Sequence, residues 1–185
     1  MVLTMEHPLA RVLTADEWDA LPDTSGLELI DGVVHVMAGA TLGHEKVKTR
    51  LHNLLEKLLP TGLLVGTEIE VRLSAATRRS PDVTVMLATG VDLRTSLLRP
   101  SQVVLAVEVV SPGSETTDRR YKPVDYAVAG IAHFWRIETR SGLRLHTFRL
   151  GESGRYLETG LFENGDKVSD PALRWASFDV DELLP

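Results

Sequence analysis

Apolar positions along this chain recur with two periods. Between Thr41 and Leu59 they fall at Val47, Leu51, Leu54, Leu55, Leu58 and Leu59, the spacing of one stripe on an amphipathic helix. Lys46, Lys48, Arg50, Asn53, Glu56 and Lys57 occupy the opposite face, and Pro60 and Gly62 end the helix. Ahead of it, Thr14-Ala-Asp-Glu17 reads as a capping box opening a short helix, with Trp18 and Leu21 as its apolar contacts. Leu27 to Ile30 and Val33 to Met37 flank Asp31-Gly32, a pair that tolerates positive φ at both positions and so predicts a two-residue hairpin.

After the long helix the pattern changes to strands. Leu63 to Leu73 contains an alternating stretch, with Glu68, Glu70 and Arg72 set against Ile69, Val71 and Leu73. Pro81 to Met86 opens on a proline, which a strand accepts at its first position. Val103 to Val110 is almost wholly apolar, as in a strand buried on both faces. A Ser111-Pro-Gly-Ser114 turn leads to a second helix over about Thr117 to Ala129, followed by strands over Ile131 to Glu138 and Gly142 to Leu150. Leu157 to Pro185 reads as peripheral, with Phe162, Trp175 and Phe178 covering the sheet and a last turn near Asp181 to Leu184. Hairpin, helix, three strands, helix and further strands together predict an α/β sheet.

The 185 residues suit one domain spanning 1–185. With no cysteine, disulfides, zinc–thiolate sites and cysteine nucleophiles are excluded. Charges interrupt the first 21 residues, so no leader peptide is expected, and the longest apolar run is far short of the roughly 20 residues of a membrane helix. A cytoplasmic protein with no membrane partner is the expectation. A net charge of −6 runs against a protein that grips nucleic-acid phosphates by itself. Between Arg72 and Lys122, however, eight basic residues stand against five acidic ones, a local net of +3. Arg78-Arg79 within that segment either contacts phosphate or is a solvated loop.

Glu108 carries the most chemical information. An ionised carboxylate inside an apolar strand is costly unless it is paired or holds a metal; otherwise it faces solvent at the strand end. Asp82, at the head of a shorter apolar strand, is a turn residue or a second ligand. Two carboxylates on adjacent strands can share a hard divalent cation such as Mg2+ or Mn2+, with the Val109 carbonyl as another oxygen. Asp118, Lys122 and Tyr126 share a helix face, forming a surface salt bridge or directing Lys122 at that metal to stabilise a pentavalent phosphate or help deprotonate water. Glu28 is an outer-face residue of the hairpin or a third carboxylate, and His44 a helix-start residue or a group at the site mouth. His7, His35, His52, His133 and His146 have no ligand spacing and read as structural or surface residues. No phosphate-binding loop, dinucleotide fingerprint, zincin motif or nucleophile elbow is present.

These stretches resemble the Uma-type restriction endonuclease family of the PD-(D/E)XK nuclease superfamily. The resemblance is carried by Leu27-Glu-Leu-Ile-Asp-Gly32, Met37-Ala-Gly-Ala40 with His44, Pro81-Asp82, Glu108-Val-Val-Ser-Pro112, Asp118 with Lys122 and Tyr126, and Gly130-Ile131 with Phe134-Trp135. It implies a restriction-endonuclease-like αβββαβ core with a mixed central sheet and an N-terminal hairpin. It also implies a metal-dependent endonuclease hydrolysing DNA, with Asp82, Glu108, Lys122, Glu28 and His44 as catalytic residues and Asp82, Glu108 and Val109 at the metal. The superfamily's lysine two residues after the glutamate would fall at Val110, and Lys122 takes its place from the following helix. Pro123 departs from a regular helix there, because proline disfavours helical geometry at the residue before it. Two other hypotheses stand beside the nuclease: a catalytically weak nuclease-like fold acting as a self-associating or partner-binding module, and a hydrolase of small phosphoesters. A homodimer is expected, built on exposed apolar surface near Phe134 and Trp135.

Overall fold

A computed structural model describes residues 12–184, apart from residues 38 and 93; His7 and part of the Met37–Ala40 stretch lie outside them. α1 (Ala15–Asp19) begins at the predicted capping box, in which the Thr14 hydroxyl accepts from the Glu17 N–H and the Glu17 carboxylate accepts from the Thr14 N–H. β1 (Leu27–Ile30) and β2 (Val33–Val36) pair through a turn with positive φ at both Asp31 and Gly32. Gly32 is required twice over, since a Cβ there would lie 2.9 Å from the Leu13 carbonyl oxygen. α2 (Leu42–Leu58) is capped by Thr41 and buries Val47, Leu51 and Leu55 as the stripe predicts. Lys48 does not lie on a solvated face. It is buried, because Glu45 and Glu68 both receive its ammonium.

The stretch expected as one strand from Leu63 to Leu73 divides. β3 (Leu63–Thr67) and β4 (Glu70–Arg72) join different sheets, and the chain turns at Glu68, whose φ is +54°. β5 (Arg78–Arg79), β6 (Val83–Leu87), β7 (Leu97–Leu98) and β8 (Val103–Val110) follow. After β8 comes a π-helical turn (Thr117–Tyr121), which runs directly into α3 (Lys122–Val128). The Lys122 N–H bonds to the Thr117 carbonyl five residues back, and Pro123 then stands in the first turn of α3, where its missing donor costs nothing. β9 (His133–Glu138), β10 (Arg144–Leu150) and β11 (Tyr156–Glu163) form a meander, and β12 (Lys167–Ser169) pairs with β13 (Ser177–Asp179). The segment expected as peripheral thus supplies a sheet strand, and Phe178 packs in the core with its ring 6.2 Å from that of Trp135.

The large sheet has the order β11-β10-β9-β8-β6-β3. Only β8 and β9 are parallel within it, so the sheet is mixed. α2, β3, β6, β8, α3 and β9 are the expected αβββαβ core. The smaller sheet, β2-β1-β5-β4-β7, carries the N-terminal hairpin. Alternation along the strands sorts the side chains: Val83, Val85, Leu105, Val107 and Val109 pack toward α2, while Met86 and Ala106 join Tyr126 and Ile131 on the α3 side. Glu108 shares the parity of Ala106 and therefore points at α3. Phe134 and Trp135 are fully buried in these two clusters, so they offer no surface to a second copy. No helix among the described residues is long and apolar enough to cross a membrane.

Candidate active site

β6 and β8 are antiparallel with Val83 opposite Val107. One further step in that register brings Asp82 beside Glu108. The Val109 N–H donates to Asp82 Oδ2 at 2.7 Å, which fixes the carboxylate at the strand head. Glu108 is completely buried; its Oε2 lies 2.7 Å from Lys122 Nζ and its Oε1 accepts from the Tyr126 hydroxyl at 2.5 Å. Asp118, Lys122 and Tyr126, spaced by four, lie on the inner face of the helical segment. Lys122 Nζ is also 3.2 Å from Asp118 Oδ1 and 4.0 Å from Glu28 Oε1. Asp82, Glu108, Lys122 and Glu28 are thus brought together.

His44, in the first turn of α2, completes the cluster. Its Nε2 lies 3.1 Å from Asp82 Oδ2 and its Nδ1 3.3 Å from Glu45. From there a chain of contacts returns to the strand head. Glu45 accepts from Lys48 at 2.8 Å, Lys48 donates to Glu68 at 2.6 Å, and the Glu68 N–H bonds to the Pro81 carbonyl, next to Asp82. The left-handed backbone at Glu68 lets one residue serve both ends of that chain.

The arginines behave otherwise than expected. Arg78 and Arg79 form neither a solvated loop nor a free phosphate contact: both are buried. Arg78 bonds to Asp19 and the Ala15 carbonyl. Arg79 bridges Glu28 at 2.7 Å and Asp125 at 2.6 Å, which holds Glu28 over the site. Arg79, Asp118, Tyr126 and Asp125 are the site members that residue chemistry alone left unassigned. The i, i+4, i+8 spacing of Asp118, Lys122 and Tyr126 was the available signal for two of them. His35, expected to be a structural or surface residue, is exposed and lines the cavity with Glu28, His44, Asp82, Asp118 and Lys122. The cavity measures about 240 Å3.

Charge in this pocket is unbalanced. Burial pushes the Glu108 carboxyl well above the ordinary carboxylate range, although the Lys122 charge pulls it back. Burial likewise raises Asp118, against the pull of Lys122. Lys122 is desolvated, which disfavours its charge, but Glu108, Glu28, Asp118 and Asp82 outweigh that and hold it protonated. His44 is also raised: burial opposes its charge, and the Asp82 hydrogen bond and charge win. Asp82 is lowered, because the His44 bond and the Lys122 charge overcome its burial.

Asp118 Oδ1 is buried in ion-pair contact with Lys122 but without a well-formed hydrogen bond. A carboxyl pushed up by burial and an all-oxygen donor set of Asp82, Glu108 and the Val109 carbonyl fit a hard divalent cation. Among the described residues, no group of three or more His, Asp or Glu side chains is already arranged as a cage.

The fold is shared with a solved structure, a putative nuclease belonging to DUF820 from Anabaena variabilis ATCC 29413. The similarity covers 92% of this chain and 97% of that one, with a TM-score of 0.75 at 16% identity. Comparison with curated proteins gave no match. Residues 15–181 match the Uma2 family, described as putative restriction endonuclease, and the chain belongs to that family.

Proposed function

We propose that this protein is a divalent-metal-dependent endonuclease that hydrolyses DNA phosphodiester bonds at the Asp82–Glu108–Lys122 cavity. The observation that carries this reading is the buried carboxylate cluster around one lysine at the head of β6 and β8. Asp82, Glu108 and the Val109 carbonyl would hold Mg2+ or Mn2+, which when bound supplies the positive charge that acidifies a water nucleophile and neutralises phosphate oxygens. Lys122, held protonated by its carboxylates, stabilises the charge that builds on phosphorus rather than abstracting a proton. His44 and the Glu45–Lys48–Glu68 chain keep Asp82 oriented. Glu28, clamped by Arg79, closes the cavity opposite Lys122.

A cytoplasmic homodimer belongs to the same reading, since cutting both strands of a duplex suits paired sites. Its apolar contact would come from Val36, which stands exposed at the cavity rim, rather than from Phe134 and Trp135. The net charge of −6 favours the second reading, a nuclease-like module without catalysis.

Incubation of supercoiled plasmid with the purified protein in MgCl2 or MnCl2 decides between the two. Nicking or linearisation by wild type that disappears in Glu108→Ala supports the endonuclease. Plasmid left intact with either ion, or cut equally by Glu108→Ala, refutes it.

A further inference from the structure

Three of the eight basic residues in the segment noted in the sequence turn inside the molecule. Arg78, Arg79 and Lys122 are all buried in internal ion pairs. The catalytic cavity sets Glu28, Glu68, Asp82 and Asp118 against Arg79, Lys122, His35 and His44, so it has no excess of positive charge for a nucleic-acid backbone. On the opposite side of α3 lies a larger groove, of about 540 Å3, whose lining includes four arginines and no carboxylate. In a chain of net charge −6, that is a concentration of positive potential at one place.

The four arginines differ. Arg119 and Arg136 share Glu138, at 2.7 Å and 3.0 Å, and are fixed as part of the wall. Arg120 and Arg155 form no ion pair among the described residues and stand exposed at the two rims. Between them the floor is aromatic: Phe148 stacks on Phe134 with centroids 5.6 Å apart and carries the Arg136 guanidinium 5.4 Å over its ring, and Tyr156 lies 5.5 Å from Phe134. Val124 and Val128 of α3 form an exposed apolar side wall. Guanidinium groups flanking an aromatic floor are the chemistry that holds a single nucleic-acid strand, with phosphates on the cations and a base on the rings. A volume within the ~300–1,000 Å3 range of ligand pockets admits a nucleoside. A duplex, whose base faces are covered by stacking, has nothing to place on such a floor.

We propose that this groove is a subsite for an unpaired nucleic-acid strand, engaging phosphates through Arg120 and Arg155 and a base through Tyr156 and the Arg136 guanidinium plane that covers Phe148. The nature of the strand rests on the nuclease reading, because the groove lies one helix away from Lys122. The subsite would hold an unpaired stretch of the DNA, such as a strand opened in supercoiled plasmid, beside the cleavage site without contributing to the chemistry.

Fluorescence anisotropy of a short labelled oligothymidylate in EDTA, where no turnover occurs, tests the proposal. Arg120→Ala/Arg155→Ala should weaken binding about tenfold or more and lower the log–log salt slope by about 1.4, at ~0.7 per phosphate contact on a single strand. Val128→Glu, an exposed substitution that places a carboxylate in the wall, should weaken it as well. Four results would overturn the proposal: unchanged affinity and salt slope in both variants; equal binding of the same length of duplex with equal loss; displacement by polyglutamate at matching charge concentration; or a dimer of the wild type that Val128→Glu dissociates, which would make the groove an interface between copies. Plasmid left uncut alongside arginine-dependent strand binding counts against the nuclease reading alone. Glu108-dependent cleavage alongside arginine-insensitive binding counts against the subsite alone.

Discussion

Replacing Lys122 by methionine removes the one cation shared by Glu108, Asp118 and Glu28, at 2.7, 3.2 and 4.0 Å from its Nζ. All three carboxylates are buried, so the loss is not made good by solvent. Breaking a buried pair by removing one partner costs ~3–5 kcal/mol. At roughly 2–4 °C per kcal/mol for a chain of this size, the melting temperature should fall by about 6–20 °C. Circular dichroism melts in EDTA near neutral pH measure this directly. The deficit should also depend on pH with a definite sign. Glu108 already titrates well above its ordinary value, and Lys122 is the charge that pulls it down. A carboxyl raised in the folded state contributes stability that is fully present below its unfolded value and is lost as pH rises through the folded one. Without Lys122 that window moves upward, so acidification should narrow the gap to wild type. Mn2+ should narrow it too, by restoring positive charge among the same oxygens. A fall of less than about 2 °C, or a deficit that widens on acidification, would refute the account of Lys122 as the balancing charge.

Three further perturbations follow from the same geometry. Arg79→Met should destabilise by about 3–5 kcal/mol by leaving Glu28 buried with only the longer Lys122 ion pair among the described residues, and urea melts of Arg79→Met/Glu28→Gln should show part of that loss recovered; a fully additive double variant would mean that the pair is not coupled. Lys48→Met should reduce plasmid cleavage while leaving the fold intact by circular dichroism, because it cuts the chain from Glu68 to His44; unchanged cleavage would reduce Lys48 to a structural pair. His44 is raised in the folded state, so its contribution to stability is complete below about 6.5 and fades as pH rises through the folded value; His44→Gln should flatten that part of the stability–pH curve, and an unaltered curve would rule out the His44–Asp82 contact as its source.

Local patterns were legible where local forces decide. The Thr14 capping box, the Asp31-Gly32 hairpin, the α2 stripe and the apolar run of β8 are each written in a few adjacent residues, and each folds as the pattern implies. Glu108 stood out for the same reason, as a lone charge in a buried strand. What periodicity missed is long-range pairing. Lys48 and Arg79 have ordinary surface identities, and only partners 20 and 46–51 residues away draw them inside. The alternation within Leu63–Leu73 begins at Glu68, so the pattern reads Glu68 as its first strand position rather than as the point where the chain leaves one sheet for another. The Lys122-Pro123 step looked like a defect in a helix. A π-helical turn ends just before it, Pro123 falls in the first turn of α3, and Lys122 reaches Glu108.

The central claim is that Asp82 and Glu108 form a site for a divalent cation. Isothermal titration of MnCl2 into wild type and Asp82→Ala tests it most directly. The account predicts saturable binding by wild type that is lost in Asp82→Ala, with the variant still folded by circular dichroism. Absence of binding by wild type, or equal binding by the variant, would contradict it.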